Sequence, residues 1–423
     1  MRYEPIRRVA VTGLGALSPN GLDRDSYREA LRDGRSGVSA IEEFDASGLG
    51  SRVAGAIRGV DLGRALEPKQ LRVVPRTAPL AILAGLEAMA DAGLDPEGLD
   101  LETRRQVGVI LGTGGGGIAF VEELYGYYYR GQLEKATALA VPAGTPGNIS
   151  SELSIRLGLR GPSHVVSTGC TSSTDAIGLA FRRIQHGETP VMLTGGADAP
   201  IAPAILLGFD VMGIISRNWN DQPARACRPF SRDRDGFVLA EGSWMLLLEE
   251  REHALARGAH IYGELLGYAS TCDAWHRVSM SSDLDEPVRA IRLALQDAGL
   301  TADDVEYANL HGTGTPLNDR VETAALKRAL GPRAASVPMS STKSMIGHPQ
   351  GACGAAGLVA TLLALEAGFL PPTINLDEPD PECDLDYVPH RSRPAGGARI
   401  ALCNCMGFGS KNSALVVRLG DEP

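Results

Sequence analysis

One cysteine and two histidines carry the reactive chemistry of this sequence. Cys170 stands in Val165-Val166-Ser167-Thr168-Gly169-Cys170-Thr171-Ser172-Ser173, where a β-branched run meets a glycine turn and then a helical pattern. A thiol at a helix N-terminus faces unpaired N–H groups and the positive end of the helix dipole, which favours the thiolate nucleophile. A free Cys is more often a small core residue. The glycine turn and the Thr-Ser-Ser start argue instead for a presented nucleophile, with N–H groups placed to hold an oxyanion. His311 lies in Asn309-Leu310-His311-Gly312-Thr313-Gly314-Thr315-Pro316, and His348 in Ser344-Met345-Ile346-Gly347-His348-Pro349. A lone His after a strand is usually structural, but here the hydroxyls of Thr313 and Thr315 could hold an amide- or hydroxyl-bearing arm. The next segment, Asp319-Arg320-Val321-Glu322, starts a helix and offers Glu322 as a charge partner. Lys343 sits between an apolar segment and an Ala/Gly/Leu-rich helix. A lysine buried there needs a partner, and Glu322 is the candidate. The run Cys403-Asn404-Cys405-Met406-Gly407-Phe408-Gly409-Ser410 reads either as a hairpin or as a flexible loop presenting N–H groups to a reacting carbonyl.

These groups must be positioned by a repeated scaffold. Residues 82–98 and 288–304 are both amphipathic helices ending in Asp-Ala-Gly-Leu, with Gly93 and Gly299 placed as C-terminal caps. Each is followed by a β-branched strand and a Gly/Thr loop, Val107 to Gly115 and Val305 to Gly314. The copies lie about half a chain apart, as an internal duplication would place them. Ser167 to Gly187 and Ser340 to Gly368 echo each other too, which makes Cys170 and His348 related positions. Strands alternating with helices across short glycine turns predict an α/β fold. Its catalytic groups belong in the loops at strand ends. The two halves are expected at 1–258, carrying the Cys, and 259–423, carrying both His. Residues 371–395, rich in Pro and Asp, read as a surface connection.

Bulk properties narrow the function. The chain has 423 residues and a net charge of −10, which speaks against nucleic-acid binding. No apolar run is long enough for a membrane span. The opening Met1-Arg2-Tyr3-Glu4-Pro5-Ile6-Arg7-Arg8 has no apolar signal core, so a cytoplasmic location is expected. Seven scattered cysteines, an odd number, do not suggest a disulfide framework. Cys403 and Cys405 would lie on opposite faces of a strand, and with no matching Cys/His pair nearby no metal site is expected.

Together, Thr-Gly-Cys170-Thr-Ser, His311-Gly-Thr-Gly-Thr, Lys343-Ser-Met-Ile-Gly-His348 and Gly407-Phe408-Gly409 resemble the β-ketoacyl-acyl-carrier-protein synthase family. So do the opening Val9-Ala10-Val11-Thr12-Gly13-Leu14-Gly15 and the stretch from Arg228 to Gly242. The resemblance runs from about Arg8 to Leu419. It implies a thiolase fold, two duplicated halves in a five-layer αβαβα arrangement. It implies that Cys170 takes an acyl chain from a carrier-protein thioester and condenses it with malonyl-carrier protein after loss of CO₂. By the same resemblance, neutral His311 and His348 stabilise the enolate, with Lys343 and Glu322 fixing charge and orientation around them. The N–H groups of Cys170 and Phe408 form the oxyanion hole, and Thr313 and Thr315 hold the phosphopantetheine arm. No metal or redox cofactor is implied. The implied partners are an acyl carrier protein and either a second copy or a chain-length-factor-like homologue.

Within the family, Thr-Gly-Cys-Thr-Ser and the run Asp380 to Tyr387 look more like type II polyketide ketosynthase subunits. The alternative is a fatty-acid-elongating synthase. Gly115 stands where fatty-acid enzymes often carry a bulky aliphatic residue, which should open the acyl pocket. Met406 replaces the usual Phe, and Ser410-Lys411 replaces Gly-Thr, in the gating loop. These departures suggest a longer, stiffer or unusual acyl chain. A thiolase-like coenzyme A enzyme, with Cys403 or Cys405 as second thiol, and a non-catalytic chain-length partner are the competing readings. Docking an acidic carrier on an acidic chain needs a local basic patch, for which Arg217, Arg225 and Arg228 are candidates.

Overall fold

The computed structural model describes residues 6–420; the residues 1–5 that open the chain lie outside the described residues. The duplication is visible in strand order. The first half supplies Val9–Leu17, Val107–Gly112, Ser163–Val166, Val191–Asp198 and Gly242–Glu250. They lie in the sheet as third, second, fourth, fifth, first. The second half supplies Gly263–Cys272, Tyr307–Asn309, Met339–Ser340, Ile400–Gly407 and Lys411–Leu419, in the same order. Strand senses also match: the second strand runs parallel to the third and fourth, and the remaining pairs are antiparallel. The first strands of the two sets meet through a short antiparallel pairing of Val9–Val11 with Gly263–Leu265.

Helices fill equivalent places. Thr77–Asp91 and Asp285–Asp297 cover the outer faces of the two strand sets. Gly93 and Gly299 follow them at φ +71° and +68°, the left-handed turn that a Cβ would penalise. Ser172–Gln185 and Cys353–Glu366 pack against each other between the strand sets. Every residue from Cys353 to Leu365 is buried, as a middle layer apolar on all sides requires. This is the five-layer arrangement that the resemblance implied. No helix among the described residues is long and apolar enough to cross a membrane.

The segment 371–395 departs from its reading as a surface connection. Leu376, Cys383, Tyr387 and Val388 are buried within it, and Tyr387 stacks on Phe230 with ring centroids 3.9 Å apart. Its Pro and Asp residues shape a strap that packs by a few apolar anchors.

Candidate active site

The parallel strands of each half end on the same region. Ser163–Val166 leads to Cys170, Tyr307–Asn309 to His311, Met339–Ser340 to Lys343 and His348, and Ile400–Gly407 to Phe408. Reactive atoms of Cys170, His311 and His348 all lie within 4.8 Å of one another. The two imidazoles meet edge to face, with centroids 5.5 Å apart. The small cavity around them, about 40 Å³, is lined also by Phe237, Thr313, Thr315, Asn318, Met406 and Phe408. Phe408 stands 36% exposed while Met406 is buried, so Phe408 forms the outer edge.

The turn before Cys170 is locked by its own side chains. Gly169 takes φ +68°, and a Cβ there would meet the Phe408 carbonyl at 3.3 Å. The Ser172 hydroxyl accepts from Thr168 N–H at 2.9 Å and donates to the Gly169 carbonyl at 2.5 Å. The Asp175 carboxylate, one helical turn on, accepts from the hydroxyls of Thr168, Thr171 and Tyr268. The helix start expected to favour a thiolate does not prevail in the resting site. Burial pushes the Cys170 thiol up to about 12, reinforced by Cys353, while Lys343 and the Phe408 N–H pull it down. The nucleophile therefore rests as a neutral thiol under a backbone donor.

His311 is held through its peptide groups. Its N–H donates to Glu322 Oε1 and that of Gly312 to Oε2, both at 2.7 Å. Asn404 Nδ2 also donates to Oε1, at 2.6 Å. Lys343 Nζ donates to the His311 carbonyl at 2.7 Å. The ion pair expected between Lys343 and Glu322 does not form. Glu322 is saturated by amide donors, and the lysine is spent on the carbonyl beside them, so the two grip opposite ends of one residue. Burial opposes the Lys343 charge, but Cys353, Cys405, Glu322 and Cys170 hold it above the ordinary lysine range. Burial, followed by the Lys343 charge, drives both His311 and His348 well below the usual imidazole value. Both are neutral near pH 7. His348 Nδ1 accepts the Gln350 N–H at 3.0 Å, so its proton sits on Nε2.

Two further buried carboxylates, missed in the sequence, brace the loops. Asp319 lies one turn before Glu322 on the same helix, Pro316–Leu330. It accepts from the N–H groups of Thr313, Gly314 and Phe230 and pairs with Arg234 at 3.2 Å. The spacing of three residues was the available signal. Asp198 accepts from Thr113, Gly114 and Gly115 on one side and from Gly351 on the other. It thus joins a loop of the first half to the His348 loop of the second, a pairing no single stretch of sequence displays.

Other expected site residues fare differently. Thr313 and Thr315 line the cavity and their hydroxyls share a 2.9 Å hydrogen bond. Gly115 is not a lining residue. A Cβ on Gly114 would meet Gln350 of the wall, and one on Gly115 would meet Ile118. The loop after Gly407 is tethered rather than loose. Ser410, at φ +63°, accepts from Trp275 and His276 N–H groups and donates to the His276 carbonyl. The expectation that Cys403 and Cys405 face opposite sides of their strand does not hold: two residues apart in Ile400–Gly407 they share one face, Cys403 meeting Thr361 and Cys405 meeting Cys353 on the same helix, Cys353–Glu366.

The basic patch does not stand as expected. Arg228 is buried, lies 4.0 Å over the Trp219 ring and pairs with Asp233 and Asp377. Arg225 pairs with Asp377 and Arg217 with Asp210, leaving both partly exposed. Asp210 and Asp233 are near in sequence, whereas Asp377, which pairs with both Arg225 and Arg228, comes from far along the chain.

A family model described as "Beta-ketoacyl synthase, N-terminal domain" matches residues 6–254, and "Beta-ketoacyl synthase, C-terminal domain" matches 262–377. A 3-oxoacyl-[acyl-carrier-protein] synthase 2 from Synechocystis sp. is 42% identical over 412 residues, covering 97% of this chain and 98% of that protein. The tetracenomycin polyketide synthase ketoacyl synthase alpha subunit from Streptomyces glaucescens is 43% identical over 417 residues, 97% of each chain. The solved ishigamide ketosynthase/chain length factor superposes with a TM-score of 0.91 at 34% identity, covering 98% of this chain and 100% of that one.

Proposed function

The chain belongs to the β-ketoacyl synthase family, enzymes that transfer acyl groups and form C–C bonds, and on that premise we propose that it extends acyl chains held on Cys170 in type II polyketide or polyene biosynthesis. The observation that carries the reading is the meeting of Cys170, His311 and His348 in one buried cavity under the Phe408 N–H. In the first step the Cys170 thiol exchanges with a carrier-protein thioester. The acyl–Cys170 bond forms, and the carrier thiol leaves with the proton. In the second, malonyl-carrier protein loses CO₂ and the C–C electron pair becomes an enolate. His348 Nε2–H and the His311 imidazole face the enolate oxygen as neutral donors. The enolate carbon attacks the acyl carbonyl, whose oxyanion is received by the N–H groups of Cys170 and Phe408. The tetrahedral centre collapses, the ketone stays on the carrier, and the Cys170 thiolate regains a proton.

Thr313 and Thr315 are assigned to the phosphopantetheine arm, which is part of the substrate; no other cofactor is needed. The partners are an acyl carrier protein and either a second copy or a chain-length-factor-like homologue, the last of these supported by the name of the ishigamide ketosynthase/chain length factor. A division between residues 258 and 259 accords with family models ending at 254 and beginning at 262. Relatives from fatty-acid and polyketide synthesis are equally similar, at 42% and 43% identity, so the polyketide leaning rests on Gly169, Gly115 and the Asp380–Tyr387 run. Intact-mass measurement after incubation with acyl-carrier protein should show one acyl adduct, absent in Cys170→Ala. Malonyl-carrier protein should then discharge it as a β-ketoacyl product. A coenzyme A thioester working equally well would favour the thiolase-like reading, and no adduct at all the chain-length partner.

A further inference from the structure

We propose that His311, Cys353 and Cys405 form a binding site for a thiophilic divalent cation, for which Zn²⁺ is the reference ion. Their donor atoms lie within 4.8 Å of one another and all three residues are buried. Cys405 Sγ lies 3.4 Å from His311 Nδ1 and 3.6 Å from Cys353 Sγ. A tetrahedral zinc, with bonds of about 2.3 Å to sulfur and about 2.0 Å to nitrogen, sets its donors apart by about 3.5 Å (S···N) and about 3.8 Å (S···S). Two of the three separations already stand close to that spacing, and the third, Cys353 to His311, is within 4.8 Å. Both sulfurs also reach the Cys170 carbonyl, at 3.1 Å from Cys353 and 3.2 Å from Cys405, which offers a fourth, oxygen ligand on the same side.

The charge around the site suits thiolates. Lys343 is the cation facing both sulfurs, Asp198 acts on Cys353 and Cys170 on Cys405, and Glu322 reaches the cluster through Lys343 and the His311 N–H. Binding would release two thiol protons and should therefore strengthen as pH rises. A second candidate trio, Cys170, His311 and His348, shares His311 but has one sulfur, and His348 Nδ1 already accepts a backbone N–H. Two sulfurs and an imidazole are the softer set and should prevail for Zn²⁺. A cation on Nδ1 would leave the other ring nitrogen of His311 as the only one able to carry a proton.

Titration of the whole reduced protein with Co²⁺ tests this, read by the thiolate-to-metal charge-transfer and tetrahedral d–d absorption. One equivalent with a two-thiolate spectrum is expected, unchanged in Cys170→Ala and weakened at least about a hundredfold in Cys353→Ala and Cys405→Ser. Zn²⁺ should displace the cobalt spectrum. Circular dichroism checks the fold, and Cys353→Ser replaces Cys353→Ala if the latter unfolds. A spectrum lost in Cys170→Ala and kept in Cys405→Ser would move the site to the other trio and overturn the proposal. Absence of any spectrum at millimolar Co²⁺ would overturn it as well. Neither result depends on acyl transfer, so the proposed condensation is judged separately.

Discussion

Both oxygens of the Glu322 carboxylate are taken by backbone at His311, its own N–H on one and that of Gly312 on the other, at 2.7 Å each. A carboxylate has two acceptor oxygens, whereas an amide has only one. Glu322→Gln therefore turns an NH₂ toward an N–H. The buried donor left unpaired should cost about 1–3 kcal/mol of stability. Because the displaced group is the peptide of His311, decarboxylation should fall further than Cys170 acylation. CO₂ release and acyl-adduct formation, measured side by side with the melting temperature, check this. Equal losses in both steps would show that the carboxylate only supports the fold.

Lys343 depresses the two imidazoles through its charge, second only to burial. Removing that charge in Lys343→Met lets both rings bind a proton at higher pH. The active form is neutral, so the acid limb of the condensation profile should move toward neutral pH in the variant. Wild type should keep its activity well below pH 6.5, because both folded-state values lie beneath the ordinary one. A uniform loss of rate with an unmoved limb would mean that the lysine acts only through its hydrogen bond to the His311 carbonyl.

Much of this site was legible because local chemistry wrote it. The turn at Cys170, the Gly/Thr loop at His311 and the His348 segment are each set by residues within a few positions. The duplication was readable from the helix endings at Gly93 and Gly299, since a left-handed cap constrains sequence directly. What stayed hidden depends on residues brought together from far apart. Lys343 and Glu322 are opposite charges that share a neighbour without touching. Arg228 looks like surface until Asp377, 149 residues on, closes over it. Cys353 and Cys405 gave no motif, because their spacing of fifty-two residues carries no local geometry.

Arg228 and Arg217 should accordingly separate when mutated. Arg228→Ala removes a buried stem and guanidinium from Trp219 and two aspartates and should destabilise the fold by about 2–3 kcal/mol. A lowered melting temperature with little change in carrier affinity is expected. Arg217 is partly exposed and bound to Asp210, so Arg217→Glu should raise the Michaelis constant for carrier protein while leaving the melting temperature nearly unchanged. An unchanged Michaelis constant would remove Arg217 from the docking surface.

An acyl chain must find more room than the cavity of about 40 Å³ beside Cys170 provides. The wall at Gln350 backs onto Gly114, and the next residue, Gly115, has only Ile118 within reach of an added Cβ, at 2.7 Å. The contact is with the γ2 methyl of Ile118, which is 47% exposed at the start of its helix, so Gly115→Ile should fold with a local shift there while filling the space behind that wall. Products should become shorter, seen by mass spectrometry of carrier-bound chains, with the rate of the first condensation nearly intact. Met406→Phe adds bulk at the buried floor and should instead slow acylation of Cys170 itself. Unchanged product lengths in Gly115→Ile would show that the chain leaves the site by another route.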